Sequence, residues 1–320
     1  MDAIEIVLCT DHRFIMPAGV MIHSVCKNNM DQEVRFHVIV DESVTEEDKE
    51  DIREVAEKNT VQYYMVNCQA FSSMPLLPNI SYATYYRLLI PQILSEDIHK
   101  VLFLDCDIIV RRSLLQLWET NIEEYALAAV IDNLDSVIGT YNRLKYSPNL
   151  EYFNAGVLLL NLKYWRANGI HGEIISYMKN HSESILLCDQ DVLNYVLRER
   201  KRLLPIKFNF QTAFLFLVDN CGYDYWKYEK DVLEARKDPI ILHYTSIKPW
   251  MEGCNHPYRS TFFRYQNETK WKGCVWKTSK RPFMVKARSH LKNILVELGL
   301  LKVSSRSKEI KTFVDLPPID

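Results

Sequence analysis

The first sixty-odd residues alternate short apolar runs with helix-period segments, and this alternation restricts the fold more than any other property of the chain. Residues 4–10 are a compact apolar stretch, the pattern of a buried strand, and residues 35–40 and 61–66 read as the next two strands. Between the first two, residues 17–28 place Val20, Met21 and Val25 near helical spacing. Between the second and third, Thr45 opens a predicted helix that runs through Ile52, Val55 and Ala56 to about Asn59. Asp48 stands three residues on as a capping-box-like partner, and acidic residues fill the first turn. A β-α-β-α-β order implies a parallel sheet with right-handed crossovers. Further along, the spacing predicts an aromatic-rich helix over 82–94 and strands over 101–107, 126–132 and 153–162. It also predicts helices over 171–180 and 189–200 and a last short strand over 240–244.

The chain's 320 residues are 48% hydrophobic and 25% charged, enough apolar material for one large core or two small ones and far from a disordered composition. A formal net charge of -2 argues against a protein that coats nucleic acid. That total hides an asymmetry. Residues 270–320 hold twelve basic and four acidic side chains, whereas residues 1–269 hold 27 and 37. The division predicts a catalytic body over 1–269 and a basic tail over 270–320. Met1 to Leu8 has no basic n-region or long apolar stretch, and no apolar run approaches the roughly 20 residues needed to span a bilayer. The eight cysteines are scattered, without a C-x-x-C pair. Cys254, His256 and Cys274 could form a partial metal site or be small buried groups, the second being the commoner fate of isolated thiols. The expectation is a cytoplasmic chain.

Five segments could carry chemistry. In Lys100–Val110 two carboxylates, Asp105 and Asp107, follow an apolar run. On a strand they would project from one face at the carboxyl end of a buried sheet, where open α/β folds bind ligands. A cation between them would relieve their repulsion, and hard oxygen ligands suit Mg²⁺ or Mn²⁺; the alternative is a pair of solvated strand-end aspartates. The run 240–244 ends near His243 and leads to Lys248-Pro249-Trp250. His243 as a further ligand would favour Mn²⁺ over Mg²⁺, and Lys248 would supply a point charge for a diphosphate; the alternative is a packed histidine and a solvated lysine. Asn154-Ala155-Gly156 opens a buried strand, either as a turn into the core or as a place where a ligand approaches the backbone. Asp189 and Gln190 begin a helix, where they either complement its dipole or face sugar hydroxyls. Arg87 lies on an aromatic helix and either binds a ligand or forms an ion pair with one of the D-x-D aspartates.

Taken in order, these segments resemble glycosyltransferase family 8, the retaining α-glycosyltransferases that include bacterial lipopolysaccharide galactosyl- and glucosyltransferases. The specific stretches are Phe-Leu-Asp-x-Asp, Phe-Asn-Ala-Gly-Val-Leu-Leu-Leu-Asn-Leu and Asp-Gln-Asp, and the resemblance covers roughly residues 4–275. It implies a GT-A (Rossmann-like) nucleotide-sugar-binding fold of α/β class with a mixed central sheet, a UDP-sugar donor, a glycan or glycolipid acceptor and a Mn²⁺ ion, with Mg²⁺ as the alternative. On this resemblance Asp105, Asp107 and His243 are the metal ligands. Asp11 contacts the uracil, with backbone groups of Cys9 and Thr10 nearby, and Cys106 joins the donor-binding set. Arg87, Asn154, Ala155, Gly156 and Asp189 meet the donor sugar, and Lys248 the diphosphate. Gln190 faces the anomeric carbon and forms the catalytic pair with Asp189, while Asp132 lies near the acceptor.

Two departures stand out. The turn from His243 to Lys248 is one residue shorter than in the family and has Ser246 where a glycine is usual, and Arg13-Phe14 replaces Asn-Tyr beside the uridine. The resemblance implies transfer of a hexose, galactose or glucose, in the synthesis of lipopolysaccharide, capsule or another cell-surface polysaccharide. A D-x-D phosphohydrolase fits less well, because there the nucleophilic Asp follows the first strand. A non-catalytic nucleotide-sugar-binding protein would have no use for a complete leaving-group apparatus.

The basic tail carries Met284, Ala287, Leu291, Ile294, Leu295, Leu298 and Leu301 on one helical stripe. Trp271, Trp276 and Phe283 precede it among lysines. Such a segment suits attachment in the plane of an anionic membrane, which would put the chain at the inner face of the cytoplasmic membrane; the alternative is a helix packed on the body.

Overall fold

The computed structural model describes residues 3–67, 71, 74–76, 81–132, 139–145, 147–215, 228–245 and 248–277. Ten strands are described: β1 (Ile4–Thr10), β2 (Val34–Val40), β3 (Thr60–Met65), β4 (Lys100–Leu104), β5 (Ile108–Val110), β6 (Leu127–Ile131), β7 (Phe153–Asn161), β8 (Lys201–Leu203), β9 (Phe210–Gln211) and β10 (Ile241–His243). Seven form the main sheet in the order β3-β2-β1-β4-β7-β6-β8. β3, β2 and β1 run parallel, as the opening alternation predicts; β4 also runs parallel to β1, and β7 runs antiparallel to both β4 and β6. The result is a mixed sheet. The longer helices are α1 (Ile15–Asn28), α2 (Glu46–Ala56), α3 (Ile170–Asn180), α4 (Cys188–Leu197), α5 (Glu229–Lys237) and α6 (Arg259–Gln266).

Alternation along the strands supplies two core layers. Ile4, Ile6 and Leu8 of β1, with Leu102 and Leu104 of β4, face the layer that holds Val20, Ile22 and Ile52 of α1 and α2 and Phe262 of α6. Val7, Val101 and Phe103 face the opposite layer, with Trp165, Ile174 of α3 and Val192 of α4. Every residue of β7 is buried, which matches its position between two strands and under both layers. At the start of α2, Thr45 accepts from the Asp48 backbone N–H and the Asp48 carboxylate accepts from the Thr45 backbone, so the predicted capping box is formed.

Two expectations need correction. The helix expected over 82–94 is three short helical turns, Ala83–Tyr86, Arg87–Leu89 and Ile90–Ile93, the last having Pro91 in its opening positions. Proline has no N–H to bond back to the preceding turn, so the helix restarts there. The strand expected over 101–107 ends at Leu104, and the apolar residues beyond Asp107 form β5. β5 belongs to a separate three-stranded sheet of order β5-β10-β9. Asp105, Cys106 and Asp107 therefore occupy the corner where the chain passes between sheets, rather than one face of a strand.

Residues 270–277 continue on the body. Trp271 and Trp276, both half-buried, pack against the first core layer. The apolar stripe from Met284 to Leu301, together with Phe283, lies outside the described residues, as do Ser246 and Ile247 of the shortened turn. No helix among the described residues is long and apolar enough to cross a membrane.

Candidate active site

Strand register gathers the predicted ligands. Asp105 extends the β4 ladder by one bond, its N–H donating to the Gly156 carbonyl of β7 at 2.9 Å. β10 pairs antiparallel with β5, setting His243 opposite Ile108, and the Tyr244 N–H donates to the Asp107 carbonyl at 3.0 Å. Residues about 140 positions apart in sequence thus meet at one corner. His243 Nε2 lies 3.2 Å from Asp107 Oδ1 and 3.9 Å from Asp105 Oδ2. One ligand atom from each residue fits within 4.8 Å of the others, and among the described residues this is the group of acidic, His or Cys side chains so arranged. Cys254, His256 and Cys274 form no such group. Burial holds the imidazole of His256 down at about 4, with Lys248 adding to the effect.

A chain of amides fixes which nitrogen of His243 faces the carboxylates. Asp132, an acceptor, takes a hydrogen bond from Asn154 Nδ2 at 2.9 Å. Asn154 Oδ1 is therefore the free acceptor, and it receives the Gly156 N–H at 3.0 Å and Asn209 Nδ2 at 2.9 Å. Asn209 Oδ1 must then accept from His243 Nδ1, 2.9 Å away. With Nδ1 bonded to Asn209, His243 turns Nε2 toward Asp105 and Asp107, the orientation in which it would serve a metal. The residues fit the divalent ion that two carboxylates and one imidazole imply. Asn209 went unnoticed in the sequence because its role comes from a contact with a strand 34 positions away; its only local signal is an amide between two phenylalanines.

Asp107 also meets the ammonium of Lys248. Burial works to raise its carboxyl, but Lys248 and His243 outweigh burial and hold it below the usual carboxylate range. Arg87 is buried and binds on three sides. Its Nη2 donates to Asp105 Oδ1 at 2.8 Å, its Nη1 to the Ala155 carbonyl at 2.5 Å, and its Nε lies 3.0 Å from Asp189 Oδ2. The ion-pair alternative for Arg87 is thus realised twice, and its guanidinium lies over Phe103, 4.3 Å from the ring centre. Burial pushes the carboxyl of Asp189 up to about 6, with Arg87 pulling the other way; the Thr84 hydroxyl donates to the same carboxylate.

Gln190 is held at both ends of its amide. Its Oε1 accepts the Ala155 N–H at 2.9 Å and its Nε2 donates to Asp132 Oδ2 at 3.0 Å. Asp191 fixes the helix that carries it. Wholly buried, Asp191 accepts from the Leu186 and Leu187 N–H groups, from Tyr152 and from Arg143. The helix start also needs Cys188 at φ 50°, a left-handed conformation that a non-glycine residue adopts at some cost.

These groups edge a cavity of about 190 Å³ lined by Cys9, Thr10, Asp11, Phe14, Ser81, Ala83, Thr84, Arg87, Asp105, Cys106, Asp107 and Lys248. It lies beyond the carboxyl ends of β1 and β4, the position at which open α/β sheets take ligands. Asp11 caps the turn that precedes α1 and binds Arg13 at 3.0 Å, so its carboxylate enters the cavity already paired. Burial raises the thiols of Cys9 and Cys106 above their ordinary range, and the Cys106 thiol donates to the Cys9 carbonyl. Both cysteines contribute shape and backbone rather than a thiolate. Asp132, Asn154, Ala155, Gly156, Asp189, Gln190 and His243 are not among its lining residues; Gln190 connects to it through the Ala155 backbone and Arg87.

Comparison with known proteins gives a consistent result. The model of glycosyl transferase family 8 matches residues 5–254. General stress protein A of Bacillus subtilis is 30% identical over 281 residues, covering 84% of this chain and 95% of that protein. The lipopolysaccharide 1,3-galactosyltransferase of Salmonella typhimurium is 29% identical over 282 residues, covering 86% and 81%. Among solved structures, galactosyltransferase LgtC in complex with donor and acceptor sugar analogues superposes with a TM-score of 0.74 at 26% identity, covering 89% of this chain and 100% of that one. The mixed sheet is that of the GT-A glycosyltransferases, and the chain belongs to glycosyltransferase family 8.

Proposed function

We propose that the protein is a retaining, metal-dependent hexosyltransferase that moves galactose or glucose from a UDP-sugar to a glycan or glycolipid acceptor in cell-surface polysaccharide synthesis. The carrying observation is the juxtaposition of Asp105, Asp107, His243 and Lys248 at the mouth of a cavity edged by Arg87 and Thr84. The names of relatives that act on lipopolysaccharide support the substrate class. Asp105, Asp107 and His243 would hold Mn²⁺, which when bound supplies positive charge to the leaving diphosphate. Lys248 adds a second positive group for the same developing charge. Arg87 keeps Asp105 and Asp189 in place on either side of the Ala155 backbone.

Retention requires either a covalent intermediate or attack from the face the leaving group vacates. Gln190, at the position the family sets against the anomeric carbon, carries an amide, which is a poor nucleophile, and both of its ends are already bonded. The reading is therefore front-face substitution, in which the departing phosphate oxygen takes the acceptor hydroxyl's proton. In a panel of UDP- and other NDP-sugars, hydrolysis of UDP-galactose or UDP-glucose is expected, dependent on added Mn²⁺. Binding of UDP-sugar without turnover would indicate a binding protein, and a sugar trapped covalently on the enzyme would overturn the front-face step.

The basic tail is read as the means of reaching a lipid-linked acceptor. Its support is the stripe of Leu291, Ile294, Leu295 and Leu298 among Lys286, Arg288 and Lys292. The full-length Leu291→Asp, Leu295→Asp double variant is expected to lose co-sedimentation with anionic vesicles while hydrolysing donor at the wild-type rate. Undiminished vesicle binding would sink the membrane reading.

A further inference from the structure

The match to the family model stops at residue 254, but the chain goes on to build the wall behind the donor cavity. After α6 it folds back along the body. Trp276 pairs with Met251: its N–H donates to the Trp250 carbonyl at 2.8 Å, and the Glu252 N–H donates to the Trp276 carbonyl at 2.8 Å. Its ring stands edge-on to Phe14, 5.7 Å between centres at 84°, and to Trp250, 5.6 Å at 69°. Phe14 and Trp250 also touch, at 6.3 Å and 88°. Phe14 lines the cavity, and Trp250 follows Lys248, which also lines it, by two residues.

The segment that carries Trp276 is itself anchored. Gln266 of α6 donates to the Cys274 carbonyl at 2.9 Å, and Lys270 pairs with Asp51 of α2. Trp271 fills a notch in α1 left by Gly19, where a Cβ would lie 2.1 Å from the indole ring. A glycine inside a helix weakens it relative to alanine, so the notch is a concession to the tryptophan. Trp276 thereby adds a third ring to the direct contact of Phe14 with Trp250, buttressing from behind the junction of two cavity walls, the loop with Lys248 and the turn before α1 with Phe14.

We propose that Trp276 is a positioning residue for the nucleoside diphosphate. It clamps residues 248–252 to Phe14 and so sets the distance from the Lys248 ammonium to Asp107 and the cavity. This rests on the donor assignment under the proposed function and extends it to a residue outside the family match. A tryptophan that only fills the core would, when truncated, lower the amount of folded enzyme and reduce kcat with KM unchanged. A clamp on the donor site acts on KM instead.

The experiment uses the full-length protein with Mn²⁺, measuring UDP-sugar hydrolysis and the UDP dissociation constant by calorimetry. Trp276→Ala is expected to raise the donor KM and the UDP dissociation constant by about tenfold with kcat within about threefold of wild type, and Trp276→Phe to recover most of the loss. Trp276→Leu, which keeps the backbone pairing and an apolar side chain, is expected at about threefold in KM. A wild-type KM in Trp276→Leu overturns the proposal however Trp276→Ala behaves, and so does a loss confined to kcat. If the wild-type chain itself binds no UDP, the donor assignment falls and the positioning role with it; normal wild-type binding with unaffected variants defeats the positioning role alone.

Discussion

Asp105→Ala and Asp107→Ala are each expected to lower donor turnover by about a thousandfold while leaving the chain folded. Removing one carboxylate from the ligand set removes several kcal/mol of charge stabilisation at the leaving group, and each 1.36 kcal/mol is about tenfold in rate. Asp107 has the larger share. It is the carboxylate on which His243 and Lys248 converge, at 3.2 Å from His243 Nε2 and in contact with the Lys248 ammonium. Without it the Lys248 ammonium loses its carboxylate partner beside His243, and no oxygen ligand remains on that side. In Asp105→Ala, Arg87 loses one partner but keeps Asp189 and the Ala155 carbonyl, so the fold around it holds.

The stability of Asp107→Ala carries its own pH dependence. The folded-state carboxyl of Asp107 is depressed, burial being outweighed by Lys248 and His243. A depressed carboxyl contributes stability that is present above its unfolded value of 3.8 and fades as pH falls through the lower folded value. The stability deficit of Asp107→Ala is therefore expected to be full at pH 7 and to shrink in strong acid. Turnover, Mn²⁺ titration and thermal unfolding of both variants check this. Turnover within about threefold of wild type in both would remove the metal role.

The parallel half of the fold was readable because its rules are local. The bounds of β1 and the capping box at Thr45 and Asp48 follow from apolar runs and side-chain chemistry within a few residues. The D-x-D corner was misplaced for the opposite reason. Apolar residues flank it on both sides, Leu102-Phe103-Leu104 and Ile108-Ile109-Val110, and composition cannot tell one long strand from two that enter different sheets. The second sheet is built of strands of two and three residues, too short to carry a periodicity. The ligands themselves were legible as residue types, through the family resemblance. What supports them was not: Asn209 acts only through tertiary contact, and Trp271 and Trp276 look from the sequence like part of the basic tail, although Gly19 and Phe14 receive them in the body.

Gly156→Ala is expected to disable the site without any change of charge or ligand. A Cβ at this position would lie 2.2 Å from His243 Cε1, 2.6 Å from Asp105 Oδ2 and 3.0 Å from His243 Nδ1. Contacts this close force movement, so the outcome depends on what can give way. His243 is held by Asn209, which is itself fixed through Asn154 to Asp132. Asp105 is held by its N–H on the Gly156 carbonyl and by Arg87. Neither is the loose end of an exposed side chain. The backbone of Gly156 is not in the left-handed region, so alanine is acceptable to the strand and the clash falls on the two ligands. Parting them by a fraction of an ångström is expected to reduce turnover by about a hundredfold, the scale of a misplaced catalytic group. Overpacking of a buried strand is expected to cost about 1–3 kcal/mol of stability. Mn²⁺ affinity is the discriminating measurement. If it falls with turnover, the spacing of Asp105 and His243 is what the glycine protects; if turnover falls at full Mn²⁺ affinity, Gly156 instead serves the approach of the donor sugar to the β7 backbone, the role its place in the Asn154-Ala155-Gly156 run suggests.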